Sequence, residues 1–387
     1  MTPRAGVGGE PDRWSASAGF FDYDNDGDAD LFVCNYVVWS REIDEELNFT
    51  LNGRDRAYGP PTNYGGTYSY LYRNEGDGTF SDVSAEAGIQ VDNPSTGEPM
   101  GKALALSFAD IDRDGHPDIF VANDTVQNFL FHNQGDGTFK ELGSVAGFGF
   151  DGSGNATGAM GVDGGYYRND EQFAVGVANF ANEMSSLYVS QREGSVMFTD
   201  EAAGEGVGAP SRLVLSFGLF FFDYDLDGRL DMLQANGHLE DEIQQVQASQ
   251  RYRQSAQLFW NAGPDERSCF TEVPADQTGD LSQPIVGRGA AYADIDADGD
   301  LDVVLTQTGG PAVLLRNDQN LDHHWLRVVL IGNSVNRDAI GSGVEIEAGG
   351  VLHRRQVMPA RSYLSRVERP LTVGLGETAT VAGLRVR

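Results

Sequence analysis

An acidic nine-residue pattern, Asp-x-Asp-x-Asp-Gly-x-x-Asp, occurs four times in this chain of 387 residues. Each copy continues directly into an apolar run that favours a β-strand. A single copy would be weak evidence, but four copies indicate a repeat protein built around metal-binding loops. The copies run from Asp22 to Asp30, from Asp110 to Asp118, from Asp223 to Asp231 and from Asp294 to Asp302.

The spacing of the acidic residues indicates which metal the loops bind. Carboxylates at positions 1, 3 and 5 converge on one point, Gly at position 6 permits the turn, position 7 offers its backbone carbonyl, and position 9 closes the shell. These are hard oxygen ligands, which favour Ca²⁺ over zinc or copper, whereas Mg²⁺ usually keeps several waters. We therefore predict about four structural calcium ions. The predicted ligand residues are Asp22, Asp24, Asp26, Asp28, Asp30, Asp110, Asp112, Asp114, His116, Asp118, Asp223, Asp225, Asp227, Arg229, Asp231, Asp294, Asp296, Asp298, Asp300 and Asp302.

The EF-hand is the obvious alternative, because its loop begins in the same way. An EF-hand also needs a bidentate Glu at position 12 and a helix on each side of the loop. Position 12 is occupied here by Val33, Val121, Gln234 and Leu305. Since a β-rich run follows each loop, we interpret the loops as connections between strands of a β protein.

A second recurring element, beginning with sequences such as LYRN, LFHN, LFWN and LLRN, follows the acidic loops. Two copies continue into a Gly-Asp-Gly turn between alternating residues, which predicts a hairpin. The first Asp of the loop precedes the Asn of this element by 23 residues in two repeats, but by 52 and 38 residues in two others. The differences predict insertions from Val37 to Tyr70 and from Gly237 to Gln257. Without them, the repeats are 56 to 59 residues long.

That repeat length predicts a fifth, degenerate repeat near residue 166. Its loop carries Tyr166, Arg168, Asp170 and Ala174 where the other loops have Asp, yet the following strand still ends in Ala-Asn. We predict that the repeat folds but has lost its metal site, and that Arg168 supplies the positive charge that calcium supplies elsewhere. A binding site recruited at this position is the alternative.

Five repeats of several short strands predict an all-β chain whose repeats are the blades of a β-propeller. A β-helix has far shorter repeats and is disfavoured. We place the propeller in residues 1–317 and a small β domain, a sandwich or barrel, in residues 318–387. Cys34 and Cys269 are predicted to be separate buried thiols.

The chain is strongly acidic, with 27 Lys and Arg residues against 58 Asp and Glu residues and a net charge of −31. This balance argues against binding to nucleic acid or to an anionic membrane. We also expect no membrane insertion, because no apolar run is long enough for a span. Calcium loops fill reliably outside the cell, so we expect an extracellular, periplasmic or cell-surface protein. The start of the chain lacks a secretion signal, from which we expect an amino-terminal truncation.

The motifs resemble those of a known family. The loops with their flanks, such as FFDYDNDGDADLFV, and the LYRNEGDGTFSDVS element resemble FG-GAP/VCBS repeats. HHWL, NRDAIG, SYLS and GLG after Asn317 resemble the ASPIC/UnbV domain of the cartilage acidic protein family. The resemblance implies seven blades in the intact protein, of which five are visible, and a chain that is truncated at both ends. It also implies a secreted or surface location.

Two function classes remain. The first is a calcium-binding scaffold that binds a protein or glycan partner, as in adhesion, with the two insertions as candidate recognition loops or as covers over neighbouring blades. The alternative is a polysaccharide lyase or hydrolase built on a propeller. No catalytic motif is present, and only His238, beside Glu240 and Asp241 in a predicted surface loop, has an acid/base setting. Asn336, Arg337 and Asp338 are expected to form a turn rather than a ligand site.

Overall fold

The computed structural model describes residues 2–51, 53–333 and 336–387. These residues form 26 strands and only short helices. The helices are α1 (Thr2–Ala5), α2 (Arg41–Leu47), α3 (Gly143–Ala146), α4 (Gly208–Ser211) and α5 (Ile243–Val246), with 3₁₀ turns at Pro61–Asn63, Ala275–Gln277 and Gly279–Ser282.

Five antiparallel sheets follow one another along the chain and are the blades of a β-propeller, as the repeats predict. The first four blades have four strands in sequence order, and the fifth has three. The strands are β1 (Arg13–Phe21), β2 (Asp30–Val38), β3 (Tyr70–Asn74) and β4 (Phe80–Asp82); β5 (Ala103–Ala109), β6 (Asp118–Asn123), β7 (Phe129–Asn133) and β8 (Phe139–Glu141); β9 (Ala159–Gly165), β10 (Ala174–Asn179), β11 (Ser186–Ser190) and β12 (Phe198–Asp200); β13 (Ser216–Phe222), β14 (Asp231–Asn236), β15 (Gln257–Asn261) and β16 (Phe270–Glu272); and β17 (Gly287–Ala293), β18 (Asp302–Gln307) and β19 (Val313–Leu315).

The first strands of successive blades pack against each other, in the order β1, β5, β9, β13 and β17. All residues of β5, β9 and β13 are buried except Gly164, whereas β1 alternates between buried and exposed residues. Trp14 and Phe20 of β1 are exposed, and so are Val304 and Leu314 of the fifth blade. The outer faces of the first and fifth blades are therefore open to solvent. Seven blades in the intact protein remain a prediction.

The remaining strands form a terminal β unit of three small sheets. One sheet pairs β20 with β25, one has the order β22-β21-β26, and one is the β23-β24 hairpin. The strands are β20 (His324–Val328), β21 (Gly343–Ala348), β22 (Val351–Gln356), β23 (Ala360–Arg361), β24 (Ser365–Arg366), β25 (Leu371–Gly376) and β26 (Val381–Val386). This β content agrees with the predicted domain, although the boundary at residue 318 remains a prediction.

The β23-β24 hairpin enters the centre of the propeller. The amide of Ser362 donates to the carbonyl of Val162 in β9 at 2.8 Å, and its hydroxyl accepts from the amide of Leu219 in β13 at 3.1 Å. The amide of Leu364 donates to the hydroxyl of Ser17 in β1 at 3.1 Å. Packing of β23 on β5 and of β24 on β17 completes contacts with the first strands of all five blades.

The predicted insertions cover neighbouring blades. The first contains α2 and a 3₁₀ turn, and the carbonyl of Pro61 accepts from the ammonium group of Lys102 in the second blade at 2.6 Å. The second contains the short helix α5. The two insertions also meet, since the amide of Tyr58 donates to the Glu240 carboxylate at 2.7 Å. The two insertions therefore pack on the blades and on each other. A role for them in partner recognition remains a prediction.

Two smaller expectations are confirmed by the structure. Cys34 and Cys269 are buried free thiols that lie in different blades. Asn336 belongs to a turn, because its side chain both donates to the carbonyl and accepts from the amide of Ile340, at 2.8 and 3.0 Å.

Candidate metal centres

The four acidic loops share one backbone conformation. Each loop joins the first strand of a blade to the second, as the strand pattern predicts, so the EF-hand alternative is excluded. Position 4 has a positive φ in every loop, between 58° and 64°, and so does the Gly at position 6, between 91° and 103°. Non-Gly residues rarely adopt a positive φ. The non-Gly residue at position 4 therefore has a strained backbone, which the flanking strands hold in place. Gly at position 6 adopts its positive φ without this strain.

This conformation brings carboxylate oxygens together in each loop. In each of four groups, one oxygen per residue lies within 4.8 Å of the others. Positions 1 and 3 belong to all four groups, position 5 completes the group in the first two blades, and position 9 completes it in the fourth and fifth. The groups are Asp22, Asp24 and Asp26; Asp110, Asp112 and Asp114; Asp223, Asp225 and Asp231; and Asp294, Asp296 and Asp302.

In each acidic loop, a buried oxygen of the Asp at position 1 has no hydrogen-bond partner. Among the residues that the structure describes, it is Oδ1 of Asp22, Asp110, Asp223 and Asp294, and in the fifth blade Oδ1 of Asp300 has no partner either. Oδ2 of the same residue accepts from the amide of the position 6 Gly at 3.0 Å in the loops of the first, second and fourth blades. A buried carboxylate oxygen without a partner is costly. A cation bound between the clustered carboxylates of each loop would satisfy the unpartnered oxygen of that loop. The residues therefore fit the predicted metal.

The Asp at position 9 organises the blade around each loop. One oxygen of Asp30, Asp118, Asp231 and Asp302 accepts from the amide of position 2. The other accepts from the amide of the Asn that ends the third strand or, in the fifth blade, follows it, and all these distances are 2.8 to 3.2 Å. Position 9 therefore fixes the loop to the first three strands. Sequence reasoning assigned it only to the metal.

Burial and crowding raise the pKa values of several loop carboxylates. Burial is the main cause for Asp22, whose pKa rises to about 6, and for Asp30 and Asp223, whose pKa values rise to about 7. Neighbouring loop carboxylates raise the same pKa values further. Burial also raises the pKa of Asp231 well above its ordinary value. The loops therefore resist holding several negative charges unless a cation compensates them.

Position 7, whose backbone carbonyl is a predicted ligand, also helps to form the turn of the loop. The amides of Asp28, His116 and Arg229 donate to Oδ1 of the position 5 Asp at 2.8 Å, which orders the turn. The guanidinium of Arg229 also contacts Asp227, so in the fourth loop a cationic side chain pairs with one of the predicted ligands. The carbonyls of position 7, including that of Asp300, remain predicted ligands.

The degenerate third loop keeps the shape of the others without their acidic group. Asn169 at position 4 has the same positive φ, 53°, and its side chain donates to the carbonyl of Gly228 in the next loop at 2.8 Å. Asn25 makes the equivalent bond to Gly115 at 3.0 Å. The charge of Arg168 is directed elsewhere, because its guanidinium pairs with the carboxylates that follow β12, Glu201 at 2.7 Å and Glu205 at 2.6 Å.

The terminal β unit packs directly on the acidic loops of the fourth and fifth blades. The amide of Gly374 donates to Oδ2 of Asp223 at 2.9 Å, and the amide of Gly376 donates to the carbonyl of Leu226 at 3.0 Å. The guanidinium of Arg327 lies 3.3 Å from Oδ2 of Asp294. Two of the four acidic loops therefore belong to the junction between propeller and terminal unit, which no local sequence pattern indicates.

The acid/base setting predicted for His238 is wrong in one respect, because this residue is not on the surface. His238 is buried, and its ring packs edge-on against Phe180. Nδ1 accepts from the amide of Glu240 at 3.0 Å, and burial lowers the pKa of the ring to about 4. The ring is thus neutral at ordinary pH and has one nitrogen already bonded to the backbone.

Comparison with protein families agrees with the repeats and with the terminal unit. The FG-GAP-like repeat model matches residues 62–121 and 110–177, and the ASPIC and UnbV model matches residues 332–387. The chain carries FG-GAP-like repeats and an ASPIC and UnbV domain. Both FG-GAP-like matches contain the acidic loop of the second blade, from Asp110 to Asp118; the first also covers part of the first blade, and the second continues into the third blade. The ASPIC and UnbV match includes the hairpin that enters the propeller.

Two curated relatives match about three quarters of this chain. Cartilage acidic protein 1 of Homo sapiens is 27% identical over 306 residues, which is 76% of this chain and 41% of that protein. The Mus musculus protein is 28% identical over 305 residues, 76% of this chain and 42% of its own length. This chain therefore spans about two fifths of the relatives that it matches.

A distant likeness exists to a lectin from Agrocybe aegerita that recognises non-reducing terminal N-acetylglucosamine. The TM-score is 0.38 at 16% identity, with 78% of this chain and 66% of the lectin covered. No helix within the described ranges of this chain is long and apolar enough to cross a membrane.

Proposed function

We propose that this chain is a calcium-stabilised propeller scaffold that acts outside the cell, in the extracellular space, in the periplasm or on the cell surface. It binds a protein or glycan partner there. The observation that carries the proposal is the repeated unpartnered oxygen at position 1 of four loops. A repeated, buried and unpaired acceptor between clustered carboxylates is explained most simply by a hard cation. FG-GAP-like repeats and the similarity to cartilage acidic protein 1 support the scaffold.

The predicted calcium ions would be held by the loop residues themselves. Positions 1, 3 and 5 or 9 supply the clustered carboxylates in the first, second, fourth and fifth blades. The ion would supply positive charge where the chain has concentrated negative charge, and it needs no open coordination position for this structural role. The chain's own residues do the rest, since position 9 ties the loop to three strands whether or not the ion is bound.

Calcium would also stabilise the junction between the two parts of the chain. Asp223 accepts from the amide of Gly374, and Arg327 pairs with Asp294. Removing the ions would restore repulsion between buried carboxylates at this junction. We therefore expect the terminal unit to loosen when calcium is removed.

The test is a calcium titration of the whole chain, followed by thermal melting with chelator as control. About four bound ions and a large rise in Tm are expected, because an ion that binds only the folded state stabilises that state. A chain that binds no calcium, or that binds it with an unchanged Tm, would refute the structural-metal proposal.

The enzyme alternative is tested separately with a panel of acidic and neutral polysaccharides. The neutral, buried ring of His238 offers no exposed proton acceptor. We therefore expect no turnover by the native chain. Turnover that disappears in both His238→Ala and Asp241→Ala, while the Tm in calcium is retained, would establish the enzyme instead.

A further inference from the structure

A cleft of about 430 Å³ lies between the propeller and the terminal unit. On the propeller side it is lined by the first two acidic loops, including Asp22 and Asp110, and by Tyr166 of the degenerate loop. On the other side it is lined by residues of β21 and β22, including Glu345 and Arg354. Its size is within the range of small-ligand sites in proteins.

Four guanidinium groups converge on the carboxylate of Glu345. The distances are 3.1 Å from Arg113, 3.4 Å from Arg354, 3.4 Å from Arg385 and 3.3 Å from Arg387. Charge-assisted bonds of this type are usually about 2.7 to 2.9 Å long. Glu345 is only 11% exposed, so one buried carboxylate is shared over long distances by four cations. Arg113 also contacts Glu193, Arg354 also donates to the carbonyl of Asp170 at 2.6 Å, and Arg385 and Arg387 are at least half exposed. The remaining N–H groups of these arginines are the donors that a second anion would accept from.

Arg355 supplies an independent sign of a missing partner. Its Nε is buried and has no hydrogen-bond partner among the described residues, although its other nitrogens donate to the carbonyls of Arg354 and Gly228. Arg355 also lines the cleft. An unpartnered N–H on a buried cation at the wall of a cleft is uncommon in proteins.

The acidic loops determine the net charge of the cleft. Asp22, Asp110 and Asp114 lie along its propeller wall and oppose the arginines. Glu193 contacts Arg113. The lining residues carry as many cations as anions, because four arginines stand against Asp22, Asp110, Asp114 and Glu345. Calcium on the first two loops would compensate part of the charge of their carboxylates and make the cleft more positive. The cleft would then attract anions.

We propose that this cleft binds the carboxylate or sulfate group of an anionic oligosaccharide. Arg113, Arg354 and Arg387 would recognise the anion, because a guanidinium fork matches the geometry of an oxyanion. Asn25 and Ser342 line the same cleft. The side-chain nitrogen of Asn25 is engaged with Gly115 and His116, so its side-chain oxygen and the Ser342 hydroxyl are the neutral groups that suit sugar hydroxyl groups. The inference rests on the proposed function, since bound calcium must compensate the acidic wall.

The test is calorimetric titration of the whole calcium-loaded chain with four probes. They are a galacturonate trimer, a sulfated disaccharide, the neutral disaccharide lactose and inorganic sulfate. The two anionic saccharides separate the carboxylate from the sulfate as the recognised group, and either of them is expected to bind more tightly than sulfate alone. Lactose is expected not to bind. Equal affinity for inorganic sulfate and for both saccharides would overturn the saccharide assignment.

Variants distinguish recognition from a fault in folding. Arg387→Gln and Arg354→Gln should each weaken binding about tenfold, the order expected for one lost bond to a charged group. Glu345→Gln should strengthen binding about tenfold, because it removes the carboxylate that competes with the ligand. Arg41→Gln, on the exposed helix α2, is the matched control and should leave the affinity unchanged. Weaker binding by Glu345→Gln at an unchanged Tm would overturn the proposal.

The same samples separate this inference from the calcium scaffold. If calcium raises the Tm but none of the anionic probes binds, the cleft proposal is wrong and the scaffold proposal stands. If calcium does not bind, the scaffold proposal is wrong. If calcium binds but the anion affinity is equal in calcium and in chelator, the role assigned to the acidic wall is wrong.

Discussion

The side chain of Asn133, at the end of the third strand of the second blade, donates a 2.8 Å hydrogen bond to the carbonyl of Tyr23 in the acidic loop of the first blade. It donates in addition to the carbonyl of Pro117 in its own blade's loop at 3.2 Å. Asn261 and Asn317 make the same link to the preceding loop. One recurring amide therefore joins neighbouring blades at the level of the metal centres.

Asn133→Ala should destabilise the protein by about 2 to 3 kcal/mol, because it leaves buried carbonyls of two blades without a donor. Asn74→Ala is the matched comparison. Asn74 holds the same position in the first blade, but its side chain donates only to Ala29 of its own loop in the described hydrogen bonds. Denaturant unfolding in calcium should show the larger loss for Asn133→Ala. Equal losses would mean that the link between blades contributes nothing measurable.

Asp112→Ala should lower the Tm in calcium and leave the Tm in chelator nearly unchanged. The side chain belongs to the acidic group of the second loop, and its other contacts are long, 3.4 Å from the amide of Asp114 and 3.7 Å from the ring of His132, so its loss mainly removes a ligand. At calcium about a hundred times above Kd, one ion contributes about 3 kcal/mol. Asp276→Ala, on a 3₁₀ turn outside the loops, is the control. A similar loss of Tm with and without calcium would contradict the metal role.

The metal-free protein should become less stable as the pH rises from about 5 to about 8. Burial raises the pKa of Asp223 to about 7 in the folded state, above its value of 3.8 in the unfolded chain. The folded state thus holds a proton that the unfolded state has lost. This stabilisation is complete below the unfolded pKa and is lost as the pH passes through about 7.

Melting in chelator across this pH range checks the prediction, and calcium should restore the Tm at the upper end. Asp223→Asn keeps the shape of the side chain and cannot ionise. The metal-free variant should lose part of the pH dependence and melt higher than the native chain at about pH 8. A metal-free native chain whose Tm rises over the same range would refute this explanation.

Gly374→Ala should detach the terminal unit from the propeller. A Cβ at this position would lie 2.2 Å from the carbonyl carbon of Leu226, a backbone atom that cannot move aside. Gly343→Ala is the control, because a Cβ there meets nothing within 4 Å. Limited proteolysis should cleave Gly374→Ala between the propeller and the terminal unit and leave Gly343→Ala intact. Equal resistance of the two variants would show that the contact is dispensable.

Much of the blade architecture follows from local sequence. The Asp at position 1 and the Gly at position 6 predict the loop, and the apolar runs predict the strands, because both depend on residues close together in the chain. The repeat length also predicts the third blade, whose Asn169 keeps the loop shape after the acidic residues have gone. These features can be predicted from the sequence because the same local pattern recurs in successive repeats.

The remaining features depend on contacts between distant parts of the chain. Asp30 reads as a metal ligand in the sequence, but both its oxygens also hold backbone amides, one of them in β3 after a long insertion. The convergence of Arg113 and Arg354 on Glu345 joins the second blade to the terminal unit. Burial of His238 likewise depends on packing against Phe180. No local pattern specifies these neighbours.

The hairpin at the propeller centre has a consequence for how the molecule is made. Leu364 and Ser17, which form one of its hydrogen bonds, are 347 residues apart in sequence. During synthesis, the blades emerge and pair in order, since each is built from neighbouring strands. Their shared axis has to wait for a hairpin that is translated after all five blades. The first blade is thus completed by a segment that leaves the ribosome later than every other blade.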